Sequence, residues 1–97
     1  MPTYISLLNW TEQGIRDFSD TVSRANSATE LAQRMGGRLI NIYWTVGQFD
    51  LVVLSEFPDD ETSTAYLLQL SADGNVRTST LRAFNSQEIR GIIQKLG

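Results

Sequence analysis

Polar and aromatic side chains recur at alternate positions of several β-rich segments, and together they could bind a small organic molecule. Aromatic rings supply apolar contact, amides and hydroxyls supply hydrogen bonds, and the guanidinium of Arg82 could hold a carboxylate through two parallel bonds. If the segments pair in phase, one face of a sheet carries the candidate ligand-binding residues Tyr4, Trp10, Asn41, Tyr43, Thr80 and Arg82.

Two alternatives for this face stay open. Tyrosine, tryptophan and arginine are also enriched at protein–protein interfaces, so the face could be a dimer interface without a pocket. The strand phase could also be shifted by one residue, which would exchange Tyr43 for Trp44 on this face.

Composition limits the chemistry. The chain has 97 residues, no cysteine, no histidine and a formal net charge of −3. Thiolate chemistry and Ser-His-Asp catalysis are therefore excluded, and we expect no metal and no cofactor. The arginines form no basic stripe, which argues against nucleic acid. No apolar run approaches the roughly 20 residues of a membrane span and no signal peptide opens the chain, so we expect a cytoplasmic protein without membrane contact.

Alternation of side-chain types predicts four strands, over residues 3–10, 38–46, 49–57 and 75–84. Gly47-Gln48 between the middle two is typical of a two-residue hairpin turn with glycine first. Asp50 lies just past this turn, and we expect its carboxylate to accept hydrogen bonds that fix the turn rather than to act as a base. By strand order the nearest candidate partners of Arg82 are Asp50 or Glu56 of either subunit, and Tyr43 as an oxygen acceptor. If no carboxylate of the protein lies within reach, we expect Arg82 to bind a ligand anion.

Helical spacing predicts the remaining elements. One helix ends at 36–37, where two glycines stand, and begins either near Ser19 or Asp20 or at a capping pattern from Ser27. A second opens at Pro58 and ends at 73–74. A capping-box pattern at Asn85 precedes a third, C-terminal helix with an apolar stripe. The order βαββαβ plus this helix predicts one ferredoxin-like α+β domain over residues 1–97, with a four-stranded antiparallel sheet.

The strands carry apolar residues on both faces. Ile5 and Leu7 oppose Tyr4 and Leu8 in the first strand, and the middle strands show the same pattern. Because the two helices between strands cover one face only, the other face needs a partner. We therefore predict a homodimer in which two sheets pack face to face.

The whole chain resembles the GYD domain family. The stretches that carry the resemblance are residues 4–11, 36–39, 43–53, 74–78 and 81–84. The motif that names the family is carried by Gly47, Phe49 and Asp50, with phenylalanine where tyrosine is common, so the hydroxyl is missing. The resemblance implies a small bacterial protein of the dimeric α/β-barrel superfamily and implies no activity.

Two classes of function remain. The first is a homodimeric small-molecule binding or accessory protein without catalysis. The second is a cofactor-independent enzyme of the monooxygenase-like dimeric α/β-barrel type, in which Trp10, Asn41, Tyr43 and Arg82 would orient a small organic or aromatic substrate by polar contacts and electrostatics. An enclosed cavity with convergent polar groups would favour the enzyme.

Overall fold

The computed structural model describes residues 1–97 and has an α+β architecture. Its elements in chain order are β1 (Thr3–Trp10), α1 (Glu12–Arg16), a 3₁₀ turn (Phe18–Asp20), α2 (Thr21–Arg34), β2 (Arg38–Trp44), β3 (Leu51–Glu56), α3 (Asp60–Ala72), β4 (Val76–Ala83) and α4 (Ser86–Gln94). The four strands form one antiparallel sheet in the order β2-β3-β1-β4. This arrangement fits a ferredoxin-like fold.

Side-chain caps explain where three of the helices begin. Thr11, Asp59 and Asn85 each accept a hydrogen bond from a backbone N–H in the first turn of α1, α3 and α4. At α4 the predicted capping box is complete, because Glu88 also accepts the N–H of Asn85. Helix α2 begins at Thr21, so the earlier of the two predicted starts is correct.

The core lies at one end of the sheet, beneath α2 and α3. Phe57, just after β3, is completely buried and packs against Tyr66 of α3 and Tyr4 of β1, with ring centroids 4.9 and 6.3 Å away. Ala32 of α2 completes this cluster. The Tyr66 hydroxyl donates to the carbonyl of Ala28 at 3.0 Å, which ties α3 to α2.

The β2–β3 hairpin has a longer tip than the sequence predicts. The two strands end at Trp44 and begin again at Leu51, and the N–H of Thr45 donates to the Asp50 carbonyl at 2.8 Å. The predicted two-residue turn is therefore wrong, since four residues lie inside this closing bond. Gly47 lies at the tip with φ of +146°, a conformation that favours glycine.

One face of the sheet has no cover within the chain. Its residues form two rows across the strands, given by the register of the ladders: Leu81, Ile5, Leu54 and Asn41 in one row, and Ser79, Leu7, Val52 and Tyr43 in the other. We call this surface the open face. Leu81 is half exposed and Tyr43 is slightly more so, so apolar surface here meets solvent.

Helix α4 projects from the body of the domain. It packs extensively against no other element. Its apolar stripe of Ile89, Ile92 and Ile93, continued by Leu96 just past its end, is exposed. The chain is accordingly elongated, with extents of 52 × 31 × 18 Å and a radius of gyration of 14.6 Å, against about 12.5 Å for a compact domain of this length. None of the helices is both long and apolar enough to cross a membrane.

Gly37 is a site where an added methyl group should destabilise the fold. A Cβ atom there would lie 2.5 Å from the Glu56 carbonyl oxygen and against the buried ring of Phe57. We expect Gly37→Ala to lower the free energy of unfolding by about 1–3 kcal/mol, as overpacking usually does. Urea denaturation measures this.

Gly91→Ala is the matched control, because a Cβ atom at this α4 position would meet nothing within 4 Å. We expect it to leave the urea midpoint unchanged or to raise it slightly, since alanine favours helix. A Gly37→Ala protein that unfolds at the wild-type midpoint would show that the Phe57 ring can move aside without loss of stability.

Candidate functional site

The six predicted ligand-binding residues do not form one site. Tyr4, Thr80 and Arg82 lie on the helix-covered face, with Tyr4 paired to Arg82 across β1 and β4. Trp10 shares that face but lies at the opposite end of β1. Asn41 and Tyr43 lie on the open face, paired with Leu54 and Val52. The prediction that all six share a face is therefore wrong for these two.

A β-bulge in β2 explains the error. Leu39 pairs with Ser55 and Asn41 pairs with the next residue of β3, Leu54, so Ile40 is an extra residue in the ladder. The bulge shifts the phase of β2 by one residue from that point. Trp44 consequently lies on the helix-covered face and Tyr43 does not, which is the alternative that the sequence left open.

A cluster of polar side chains, which we call the Tyr4 cluster, lies on the helix-covered face at the end where β1 begins. The Tyr4 hydroxyl donates to Asp60 Oδ1 at 2.5 Å, and Arg82 Nε lies 4.0 Å from the same oxygen. The Arg82 guanidinium also lies over the Phe84 ring at 4.3 Å and donates to the carbonyl of Thr3. The cluster joins the first turn of α3 to the edge of the sheet.

Within the chain, neither of the two carboxylates predicted as a partner pairs with Arg82. Glu56 pairs instead with Arg38 on the neighbouring strand. Asp50 accepts a hydrogen bond from the N–H of Trp10 at 2.9 Å. The carboxylate that faces Arg82 is Asp60, in the first turn of α3.

The residues of the glycine–phenylalanine–aspartate motif lie at the hairpin tip. The Phe49 carbonyl accepts a hydrogen bond from the Thr45 hydroxyl at 2.6 Å. The Asp50 N–H donates to the Leu8 carbonyl at 2.9 Å, and its carboxylate holds the N–H of Trp10. Asp50 thus fastens the hairpin to the end of β1, and its carboxylate is used in a structural hydrogen bond to the backbone.

A cleft of about 560 Å³ lies between α2 and the sheet, bounded on its far side by the C-terminal half of α3. Its floor is apolar and includes Leu8, Trp10 and Ile42. Among the predicted ligand-binding residues only Trp10 lines it. Its volume is within the range of small-molecule sites.

The Tyr4 cluster does not supply a general base. Burial, and then the hydrogen bond to the Asp60 carboxylate, raises the pKa of Tyr4 to about 12, so the phenol keeps its proton at neutral pH. No group of three or more acidic side chains could hold a metal ion. The arrangement can orient α3 on the sheet and offers no activated nucleophile.

Fold and cleft together define a small ferredoxin-like α+β domain with one uncovered sheet face and a ligand-sized cleft under α2. The sequence model of the GYD domain matches residues 4–93. The chain therefore belongs to the GYD domain family, and the resemblance drawn from its motifs is confirmed.

Two proteins from Thermus thermophilus are similar to this chain. One is named glutamine synthetase and cystathionine beta-lyase binding protein; it is 32% identical over 84 residues, which cover 86% of this chain and 88% of that protein. The other is the crystal structure of TTHA0845, with a TM-score of 0.56 and 26% identity over 89% of this chain and 96% of that one. Each likeness spans nearly the full length of both chains.

Removing the Asp60 carboxylate should let Tyr4 ionise at lower pH. Because the folded-state pKa of Tyr4 lies above its ordinary value of 10.0, the stability it contributes is complete below about pH 10 and is lost as pH rises towards 12. We expect Asp60→Asn to shift the ionisation of Tyr4 towards 10, which the ultraviolet absorbance of tyrosinate measures in a pH titration.

Glu61→Gln is the control, since Glu61 lies in the same first turn of α3 and does not contact Tyr4. Its titration should match that of the wild type. If Asp60→Asn and Glu61→Gln titrate alike, the carboxylate of Asp60 does not act on the Tyr4 phenol.

Proposed function

We propose that this protein is a binding protein without catalytic activity that works as a homodimer, its two sheets packed face to face as in a dimeric α/β barrel. The observation that carries the proposal is the open face. Its central side chains, Ile5, Leu7, Val52 and Leu54, are apolar, and no helix of the same chain covers them. A second copy would bury both faces at once through a two-fold axis.

The open face alone is smaller than an interface of ordinary size, so we expect α4 to form part of the dimer interface as well. Four strands of six to eight residues span roughly 450 Å² of flat sheet. A specific interface of ordinary size buries about 800 Å² per partner. The exposed stripe of α4 offers apolar surface beyond the sheet, and we infer that it packs on the partner subunit.

The alternative, a cofactor-independent enzyme, is less well supported. Its proposed arrangement of Trp10, Asn41, Tyr43 and Arg82 requires these side chains to converge on one substrate. Asn41 and Tyr43 lie across the sheet from the other two, so a single chain does not assemble that site.

We infer further that the protein binds other proteins. The relative that is 32% identical is named for binding glutamine synthetase and cystathionine beta-lyase. A dimer would present two copies of each remaining surface to such a partner. Co-sedimentation with glutamine synthetase from the organism that encodes this chain tests this. Independent sedimentation of the two proteins would contradict it.

A charge on the open face should prevent dimerisation. Leu81 is 50% exposed within one chain, so Leu81→Arg costs the monomer little but places an unpaired cation in the proposed interface. We expect wild-type protein to sediment as a dimer at micromolar concentration and Leu81→Arg to sediment as a folded monomer of about half that mass.

Leu68→Arg is the control, because Leu68 lies on α3, on the other side of the sheet, with 66% exposure. It should remain dimeric. A wild-type protein that is monomeric at this concentration, or a dimer that tolerates Leu81→Arg, would refute the proposed assembly.

A further inference from the structure

The cleft under α2 combines an apolar floor with positive charge. Leu8, Trp10 and Ile42 form part of the floor, and α2 forms a wall that carries Arg24 and Arg34. Asp73 is the one carboxylate in the lining. The cleft therefore carries a net positive charge over an apolar surface, and this suits an anion with an apolar body.

The two guanidiniums differ in what they can offer to a ligand. Arg24 donates to the carbonyls of Gly14 and Asp17, so it holds α2 against α1. Arg34 makes no hydrogen bond and no ion pair within the chain, although Glu30 stands four residues before it on the helix. All donors of Arg34 are free for a ligand.

A small ligand can contact only one of these two guanidiniums, because they lie far apart along α2. Ten residues along a helix span about 15 Å. A compact molecule near the Leu39 end of the floor can therefore reach Arg34 without reaching Arg24. The end of α2 carries about half a negative charge, which the full charge of the guanidinium exceeds.

We propose that this cleft binds a small carboxylic acid with an apolar or aromatic body. The body lies on the floor beside Leu39 and Ile42, and the Arg34 guanidinium holds the carboxylate through two parallel hydrogen bonds. This inference goes beyond the proposed function, since the whole lining comes from one chain and needs no second subunit.

Isothermal titration with naphthalene-2-carboxylate and the neutral 2-naphthalenemethanol tests the proposal, because the two probes share one apolar body. We expect the acid to bind one molecule per chain, about tenfold more tightly than the alcohol, as one charge-assisted contact provides. In Arg34→Gln the acid should bind no better than the alcohol, while the affinity for the alcohol should be unchanged.

Two further variants locate the site. Arg90→Gln removes an exposed arginine of α4, outside the cleft, and should leave both affinities unchanged. Ala28→Leu adds a larger side chain to the cleft wall, about 9 Å along α2 from Arg34, and should weaken both probes. Lack of binding by the acid, equal affinity for acid and alcohol, or full affinity in Arg34→Gln would overturn the proposal. Dimerisation plays no part in these outcomes, so they are independent of the assembly tests.

Discussion

The structure depends on one constraint: a sheet that is apolar on both faces needs cover on both, and this chain supplies helices for one. Burial of apolar surface contributes about 25 cal/mol per Å², so leaving Leu7, Val52 and their neighbours in water forgoes several kcal/mol. The apolar stripe of α4 adds to the apolar surface that the chain leaves in water. A partner of the same kind would satisfy the sheet and the helix together.

The covered face is packed unevenly. At the end where β1 begins, Phe57 and Tyr66 fill the space between α3 and the sheet, and Ala32 brings α2 close. Along the rest of α2, small residues such as Ala25 and Ala28 face the cleft between this helix and the sheet. The packed end fixes the helices, and the cleft leaves space for a ligand.

Residues of the types used in catalysis serve here mainly to join elements. Asp50 holds the backbone of Trp10, Asp60 accepts the Tyr4 hydroxyl, and Arg24 holds two carbonyls beside α1. No buried side-chain nitrogen or oxygen lacks a hydrogen-bond partner. Four cationic side chains, Arg34, Arg77, Arg90 and Lys95, have no partner in the chain, and of these only Arg34 lines the cleft. Binding through surfaces and a cleft is therefore better supported than chemistry at a catalytic centre, and this agrees with the name of the similar Thermus protein.

The sequence alone determined the order and type of the four strands and the three longer helices, the capping box at Asn85, and the apolar character of both sheet faces. These features depend on residues a few positions apart, where spacing and backbone preference act directly. It left the start of α2 between two options. It did not determine which face carries Tyr43, which carboxylate meets Arg82, or that a cleft lies between α2 and the sheet. The bulge at Ile40, the approach of Asp60 and the cleft all follow from pairing and packing between segments far apart in the chain, and a change of one residue in register reverses every side chain beyond it.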